Sequence, residues 1–515
     1  MNPATTEQLL PQARDLHARG QLQEAAALYL RILDIDPAHF AATHLLGVYA
    51  LQICDLAAAH DLIVKALEIE PESAAARVHL SAVLQRQGRM DAAYAEIQRA
   101  LALQPENLDA LSNGGGLLAF HLKRPAEALP LLERALSIAP DHADALNNLG
   151  YALVELHRHE EALLCLERAL ALKPDLALAW YNRGNALQLL NRVDEALRSY
   201  DAALAINPGL ADAQFSQGVC RLLASDLERG WPQYEWRWRK PGHQLPRYPE
   251  PLWTGEAPLH GKTLLVHHEQ GLGDTLHMCR YVPLLAAQGA RVILRVQPSL
   301  KSLLAGAYEV VSSDERLPRF DLHIPMLSLP MALRTRLDTI PAAMPYVSAP
   351  AERIAAWAQK LGPAAKRRLG LAWSGNPRHE NDRKRSIPLT LMRRLLTPAW
   401  DCIALQTDLR VTDRLLLARE PALRSYAADQ HDFAETAALV AQIDLVICVD
   451  TAIAHLAGAM GKPVWLLLPY APDWRWMLDG DASPWYPNMR LFRQRRDGDW
   501  DEVLARVAQA LAAYP

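Results

Sequence analysis

The sequence predicts an all-α solenoid followed by an α/β region of two Rossmann-like lobes. Three observations carry this. A pattern of 34 residues recurs through residues 1–240, strands and helices alternate in two successive sets after Gly261, and Asp444–Pro469 (DLVICVDTAIAHLAGAMGKPVWLLLP) reads as strand, turn, helix and strand. In that last stretch the unbroken apolar runs Leu445–Val449 and Val464–Leu468 mark strands covered on both faces, as in a parallel sheet, and Ala452–Met460 is the helix between them. Asp450 or Thr451 can cap that helix, whose free N–H groups favour an anion above the sheet, a nucleotide pyrophosphate being the usual one. A structural βαβ unit with an ordinary cap fits the same residues.

A chain of 515 residues, half of them hydrophobic and 22% charged, holds several domains with a sizeable core and excludes disorder. Residues 1–240 carry a net charge of −8 and the remainder +4. The mildly basic second half suits a small anionic ligand but lacks the concentrated patch of a nucleic-acid binder. The six cysteines form no CxxC pair, which excludes a zinc ribbon or disulfide framework and fits a reducing compartment. The N-terminus has no basic segment followed by an apolar core, and no apolar run reaches the ~18 residues of a membrane span. A soluble, cytoplasmic protein is expected.

The repeats come first in the chain. Pro37, Pro71, Pro105, Pro140, Pro174 and Pro208 are spaced by 34, 34, 35, 34 and 34 residues. Twelve residues before each stands an alanine (Ala25, Ala59, Ala93, Ala128, Ala162, Ala196), and seven residues after each alanine come Ile32, Ala66, Ala100, Ala135, Ala169 and Ala203. Between them lies a larger residue: Tyr29, Ile63, Ile97, Leu132, Leu166 or Tyr200. Small residues at helical spacing let two antiparallel helices approach, the large one fills the groove, and proline ends the second helix. This resembles the tetratricopeptide repeat, with six full units and a degenerate seventh around Gly218, Gly230 and Tyr234.

Such a solenoid lines its concave face with the first helix of each repeat and usually takes an extended polypeptide. Asn113, Asn148 and Asn182 recur at one position in three successive repeats. Carboxamides offer a donor and an acceptor each, and a ladder of them could grip a peptide backbone whatever its sequence. The arrangement resembles the asparagine ladder of the protein O-GlcNAc transferases. Asparagine recurring as a solvated or locally bonded residue of duplicated repeats is the plainer alternative.

From Trp231 to Pro258 the repeat register is lost. Five prolines follow Lys240, so a connector is expected, centred on residues 241–260. Its aromatics Trp236, Trp238, Tyr248 and Trp253 suit packing against the next domain, with a sugar-binding platform as the alternative.

The first lobe is expected over 261–350. KTLLVHHEQGLGDTLHMCRY reads as strand, Gly-rich loop and helix, in which Gly271 and Gly273 allow a tight turn with close backbone approach and Asp274 opens the helix. The loop matches neither a dinucleotide fingerprint nor a Walker A motif. Asp274, at the mouth of the first strand, suits a general base and equally a helix cap. His267, His268 and His277 flank the loop without the i,i+4 pattern of a zinc site.

The second lobe is expected over 351–515, braced by a final helix, Asp501–Ala513. Its strand Leu369–Trp373 leads into a Ser-Gly-Asn turn and a polar loop with Arg378, His379, Arg383, Lys384 and Arg385. Basic side chains at a strand's carboxyl end can neutralise a diphosphate leaving group; a solvated loop is the plain alternative.

Two such lobes, with GLGD in the first and VDTAIAHLAG in the second, resemble GT-B glycosyltransferases, most closely the heptosyltransferases of glycosyltransferase family 9. The attachment to repeats is similar to that of the O-GlcNAc transferases. The resemblance implies that Asp274 is the base, that Arg385 stands where the family has lysine, and that Asp450-Thr451-Ala452-Ile453-Ala454-His455 is the phosphate turn, with alanine replacing the family's glycine. It implies a nucleotide-sugar donor held by Gly271, Gly273, Arg385, Gln406, Asp450, Thr451, Ala452 and His455, with base and ribose near Gln406. Within that site the backbone amides of Thr451 and Ala452 are expected to bind the pyrophosphate, and Asp450 to shape the turn. No convincing DxD carboxylate pair is present to hold a metal, so no metal and no cofactor are expected. The implied activity is sugar transfer to a hydroxyl, with a protein on the repeats as acceptor. A scaffold that has lost its chemistry and a lipopolysaccharide or polysaccharide glycosyltransferase are the alternatives.

Overall fold

A computed structural model describes residues 6–378 and 381–514. The chain divides into two compact units, residues 1–189 with 194–208, and residues 190–193 with 209–515.

The first unit is a run of antiparallel helix pairs. The predicted prolines stand two residues beyond the second helix of each pair, which end at Ile35, Ile69, Leu103, Ile138, Leu172 and Ile206. All eighteen of the small and large positions read from the spacing are 0% exposed. The large residue has a matching void on the first helix of its own pair. A Cβ on Gly184 would lie 2.5 Å from Tyr200 Cε1, and one on Gly150 the same distance from Leu166 Cγ. Glycine there is a packing requirement, since these helical residues have no unusual backbone conformation.

The single 35-residue spacing also has a structural cause. Helix Leu108–Gly116 runs into a π-helical turn, Leu117–His121, before Pro125–Ile138. A π-turn takes up one extra residue without breaking the helix, so the inserted position is absorbed between Asn113 and Ala128 and the register of the pair survives.

Helices Ala211–Leu223 and Leu227–Tyr234, the degenerate seventh pair, belong to the second unit. Helical structure continues through a 3₁₀ turn, Glu235–Arg239, and ends before Pro241, the first of the five connector prolines. Pro232 sits in the last helix without ending it.

The rest of the second unit contains two parallel sheets. The first holds β1 (Thr263–His267), β2 (Arg291–Val296), β3 (Glu309–Ser312) and β4 (Leu322–Pro325) in the order β3-β2-β1-β4. The second holds β5 (Arg368–Ala372), β6 (Asp401–Ala404), β7 (Leu423–Ser425), β8 (Leu445–Val449), β9 (Val464–Leu468) and β10 (Met489–Arg493) in the order β10-β9-β8-β5-β6-β7. Every residue of β5, β8 and β9 is buried, and β8 and β9 are the unbroken apolar runs that a strand covered on both faces requires. The strand order reverses between β1 and β4 in one sheet and between β5 and β8 in the other. Parallel sheets open a ligand crevice at the carboxyl ends of such strands.

The lobes share a packed seam. Helix Leu272–Met278 of the first lies on helix Ala452–Ala459 of the second. Arg280, 3% exposed, donates to the carbonyls of His277, Pro341 and Trp485 and to Tyr346 Oη. The C-terminal helix Trp500–Ala512 covers the second sheet with Val503, Leu504, Val507 and Leu511.

Candidate functional site

The Leu272–Met278 helix starts at Leu272, so Asp274 lies in its first turn, where its Oδ2 accepts the Gly271 N–H at 2.8 Å. The cap reading of Asp274 is thus realised. Its other oxygen, Oδ1, accepts from Arg475 Nη2 at 2.5 Å. Arg475 also donates through Nη1 to Asp473 Oδ1 (2.8 Å) and through Nε to His277 Nδ1 (3.1 Å). Burial penalises the Arg475 charge, but Asp473 and Asp274 outweigh it and hold the guanidinium protonated.

The two glycines of the loop differ. A Cβ on Gly273 would meet His455 Cδ2 at 2.8 Å and Ala452 Cα at 3.5 Å, so its hydrogen lets the two helix starts touch. Gly271 has φ −70°, and a Cβ there would meet only Asp274 Oδ2.

At the carboxyl end of β8, Thr451 is the N-cap of Ala452–Ala459, with no side-chain cap bond. The first N–H groups of a helix have no intrahelical acceptor and carry its positive dipole end. Three buried polar atoms close to this crevice form no hydrogen bond among the described residues: Thr451 Oγ1, Ser374 Oγ at the end of β5, and Arg385 Nε. Among the described residues, the carboxylate paired with Arg385 Nε is Asp382 Oδ1 at 4.0 Å, and Asp382 is itself taken by Ser386 and Arg410. Arg385 lies along Gly375, where a Cβ would fall 2.8 Å from its Nη2. His379, in the same basic loop, lies outside the described residues.

Asp450 is lifted to about 6, first by burial and then by Asp473, against the opposing pull of Arg385. That brings its carboxyl into the range of a group that exchanges protons near neutrality.

Two expected donor contacts are corrected. His455 is 5% exposed, its Nδ1 is bonded to Tyr486 Oη at 2.9 Å, and its ring lies between those of His277 and Trp476. Burial, reinforced by Arg475, Arg280 and Arg385, drives its pKa well below the usual value, so it supplies no cation to a diphosphate. Gln406 is also turned inward. Its Oε1 accepts the N–H groups of Trp373 (3.3 Å) and Ser374 (3.1 Å) and its Nε2 donates to Asp408 O, which ties the end of β6 to the end of β5.

The asparagine ladder is only partly open. Asn113 is exposed, but Asn148 Nδ2 donates to Ser112 O at 3.2 Å. Asn182 is 1% exposed and donates to Asn147 Oδ1 at 2.9 Å. The equivalent positions bind the neighbouring repeat, because the small first-helix residues bring adjacent helices close enough for carboxamides to bridge them. Asn182 is not on offer to a peptide.

Sequence reasoning missed Asp473, Arg475, Trp476 and Tyr486. The signal of the first three was present in PDWRW after β9, charged residues set among tryptophans just past a strand's carboxyl end; Tyr486 lies ten residues further on, in SPWYP. His267 and His323, 3.3 Å apart with Tyr248 against both rings, instead form a buried seam under the connector.

Comparison with known proteins accords with this division. Tetratricopeptide-repeat models match residues 107–175 and 177–210. A model described as glycosyltransferase family 9 (heptosyltransferase) matches residues 427–492, from before β8 into β10. Protein FlbA of Caulobacter vibrioides is 26% identical over 324 residues, 57% of this chain and 54% of FlbA. The chain therefore spans about half the length of that relative. Among solved structures, the Cut9–Hcn1 hetero-tetramer of the APC/C matches 46% of this chain and 47% of its own at 17% identity and a TM-score of 0.42. Pseudomonas aeruginosa pilF matches 40% and 94% at 26% identity and a TM-score of 0.35. Scores this low carry no functional argument. The chain combines tetratricopeptide repeats with a glycosyltransferase family 9 segment towards its C-terminus.

Proposed function

We propose that the second unit is a GT-B glycosyltransferase that moves a sugar from a nucleoside-diphosphate sugar to an acceptor hydroxyl, without a metal, on a protein carried by the repeats. One observation supports this above the others. Among the described residues, Thr451 Oγ1, Ser374 Oγ and Arg385 Nε are buried without hydrogen bonds at the β5–β8 crevice, beside the N-terminus of Ala452–Ala459. Buried polar groups are normally satisfied, and a diphosphate supplies the acceptor oxygens these lack.

In this reading the acceptor oxygen forms its bond to the anomeric carbon while the bond from that carbon to the diphosphate breaks. The electron pair leaves with the diphosphate, where Arg385 and the helix dipole stabilise the growing charge. Asp274 takes the proton of the acceptor hydroxyl. Its two oxygens each have a further lone pair beyond the bonds to Arg475 and Gly271, so it can still accept. The exposed Asn113 remains as a peptide contact on the repeats.

The test is turnover of nucleotide sugars by the purified protein. Full activity in both Asp274→Asn and Arg385→Ala would sink this assignment. A binding scaffold without chemistry is favoured by one fact, the double engagement of Asp274 in structural bonds, and would show nucleotide binding with no turnover of any sugar donor.

A further inference from the structure

We propose that Arg237, in the 3₁₀ turn after the seventh helix pair, is a positioning residue of the transferase site that fixes the Asp274 loop through Glu269. This rests on the transferase reading above.

The place of the contact matters more than its strength. In the first lobe the strand order reverses between β1 and β4, so the ligand crevice lies just beyond His267 and Pro325. Glu269 spans that crevice, two residues past β1, with Oε1 accepting the Leu327 N–H at 2.9 Å beyond β4. Arg237 reaches the same carboxylate with two donors, Nε to Oε2 at 2.8 Å and Nη2 to Oε1 at 3.1 Å. It also donates to Ser328 Oγ at 2.8 Å and to Glu235 Oε1 at 2.6 Å. Both Arg237 and Glu269 side chains are 4% exposed. The guanidinium lies 4.9 and 4.8 Å from the ring centroids of Tyr234 and Trp238. A planar fork that is bidentate to a carboxylate fixes direction as well as distance.

Glu269 precedes Asp274 by five residues, and the loop between them contains Gly271 and Gly273. Glycines leave that loop little stiffness of its own, so its course depends on how its ends are held. The upstream end is held by Arg237. The downstream end is held by Arg475, whose neighbour Trp474 packs edge-on against Trp231 at 5.3 Å and Tyr234 at 6.0 Å. Trp231 is anchored in turn by its Nε1–H to Thr335 O at 2.9 Å. One short element, Trp231–Arg237, therefore braces Asp274 from both sides. A connector that only joined domains would have no reason to place a buried, bidentate ion pair in the crevice where the first sheet binds its ligand.

Two variants of the full-length protein test this, Arg237→Lys and the double variant Arg237→Met/Glu269→Gln. The first keeps the charge and loses the fork. The second removes both members of the ion pair and so leaves neither one buried and unpaired. With a nucleotide sugar that the wild type turns over, kcat is expected to fall about 100-fold in each, the loss that a misplacement near 1 Å can cause. The donor KM and the affinity for the free nucleoside diphosphate stay within about twofold, since the β5–β8 crevice is untouched. A double variant that melts cooperatively and keeps wild-type kcat overturns the proposal. So does a fall in kcat that merely follows the fraction unfolded and recovers on cooling, or a parallel loss of nucleoside-diphosphate affinity. A wild type that neither binds nucleoside diphosphates nor turns over any nucleotide sugar overturns the transferase reading itself, and this one with it.

Discussion

Arg475 Nη2 lies 2.5 Å from Asp274 Oδ1, although the two residues are 201 positions apart in the chain. The pair joins the second lobe to the first turn of a first-lobe helix, at the point where that helix touches Ala452–Ala459. Asp274 is consequently both an architectural and a chemical candidate, and its replacement should separate the two. Asp274→Asn keeps the Gly271 bond available and leaves Arg475 paired with Asp473. The variant is expected to stay folded and to lose activity by about 10²–10⁴-fold, the usual contribution of a proton-transferring group. Turnover assays alongside thermal melts check both halves.

Gly273 is expected to tolerate no side chain. In Gly273→Ala the new Cβ, 2.8 Å from His455 Cδ2, forces the two helix starts apart, because His455 is locked between His277, Trp476 and Tyr486. Overpacking of this kind costs about 1–3 kcal/mol. A lowered melting temperature with weakened activity is the expected outcome, and Gly271→Ala serves as the mild control.

Arg385 should matter for binding before it matters for fold. Arg385→Ala is expected to weaken nucleoside-diphosphate affinity at least about tenfold, corresponding to the roughly 1.5–3 kcal/mol of a charge-assisted hydrogen bond. Calorimetry with a nucleoside diphosphate measures this directly. Transfer activity is expected to survive EDTA, and its loss with recovery on adding a divalent cation would refute the metal-independent mechanism.

Acid should destabilise the protein through its buried histidines. Burial and His79 lower His44 to about 4, burial and His323 lower His267 to about 3, and His277 and His455 lie well below their ordinary value. A histidine whose pKa is lower when folded binds its proton preferentially in the unfolded chain. Its contribution is full above the unfolded pKa of about 6.5 and is lost as pH falls towards the folded value. Melting temperature should therefore drop between pH 6.5 and 4, and less steeply in His267→Phe than in the wild type. Equal slopes in the two proteins would exclude His267 as a source of the effect.

The repeat unit offers a separate check on packing. Gly184→Val should destabilise it by about 1–3 kcal/mol or more, since even a Cβ would stand 2.5 Å from Tyr200 Cε1. Tyr200→Leu in the same chain should restore part of the loss, as read from denaturant melts.

Much of this architecture was legible in the residues. The proline and alanine spacing located the helix pairs because a packed pair needs small residues at fixed helical intervals, and the eighteen inferred positions are all buried. Strands β8 and β9 fell on Leu445–Val449 and Val464–Leu468 because a strand covered on both faces must be apolar throughout. The inward turn of Gln406, the burial of Asn182 and the neutrality of His455 were not legible. Each depends on which neighbour a polar side chain meets, and those neighbours come from other strands, repeats and lobes.

By itself the sequence determined the element types, the repeat register and the two turns at which a ligand can meet the sheets, since these follow from local spacing and from burial patterns along the chain. Only the tertiary structure decided that Arg475 pairs with Asp274, that Arg237 enters the first lobe's crevice, and that Thr451, Ser374 and Arg385 keep polar atoms unpaired among the described residues. The physical reason is that hydrogen bonds and ion pairs are settled by distances of a few ångströms between groups far apart in sequence, and no local pattern encodes those distances.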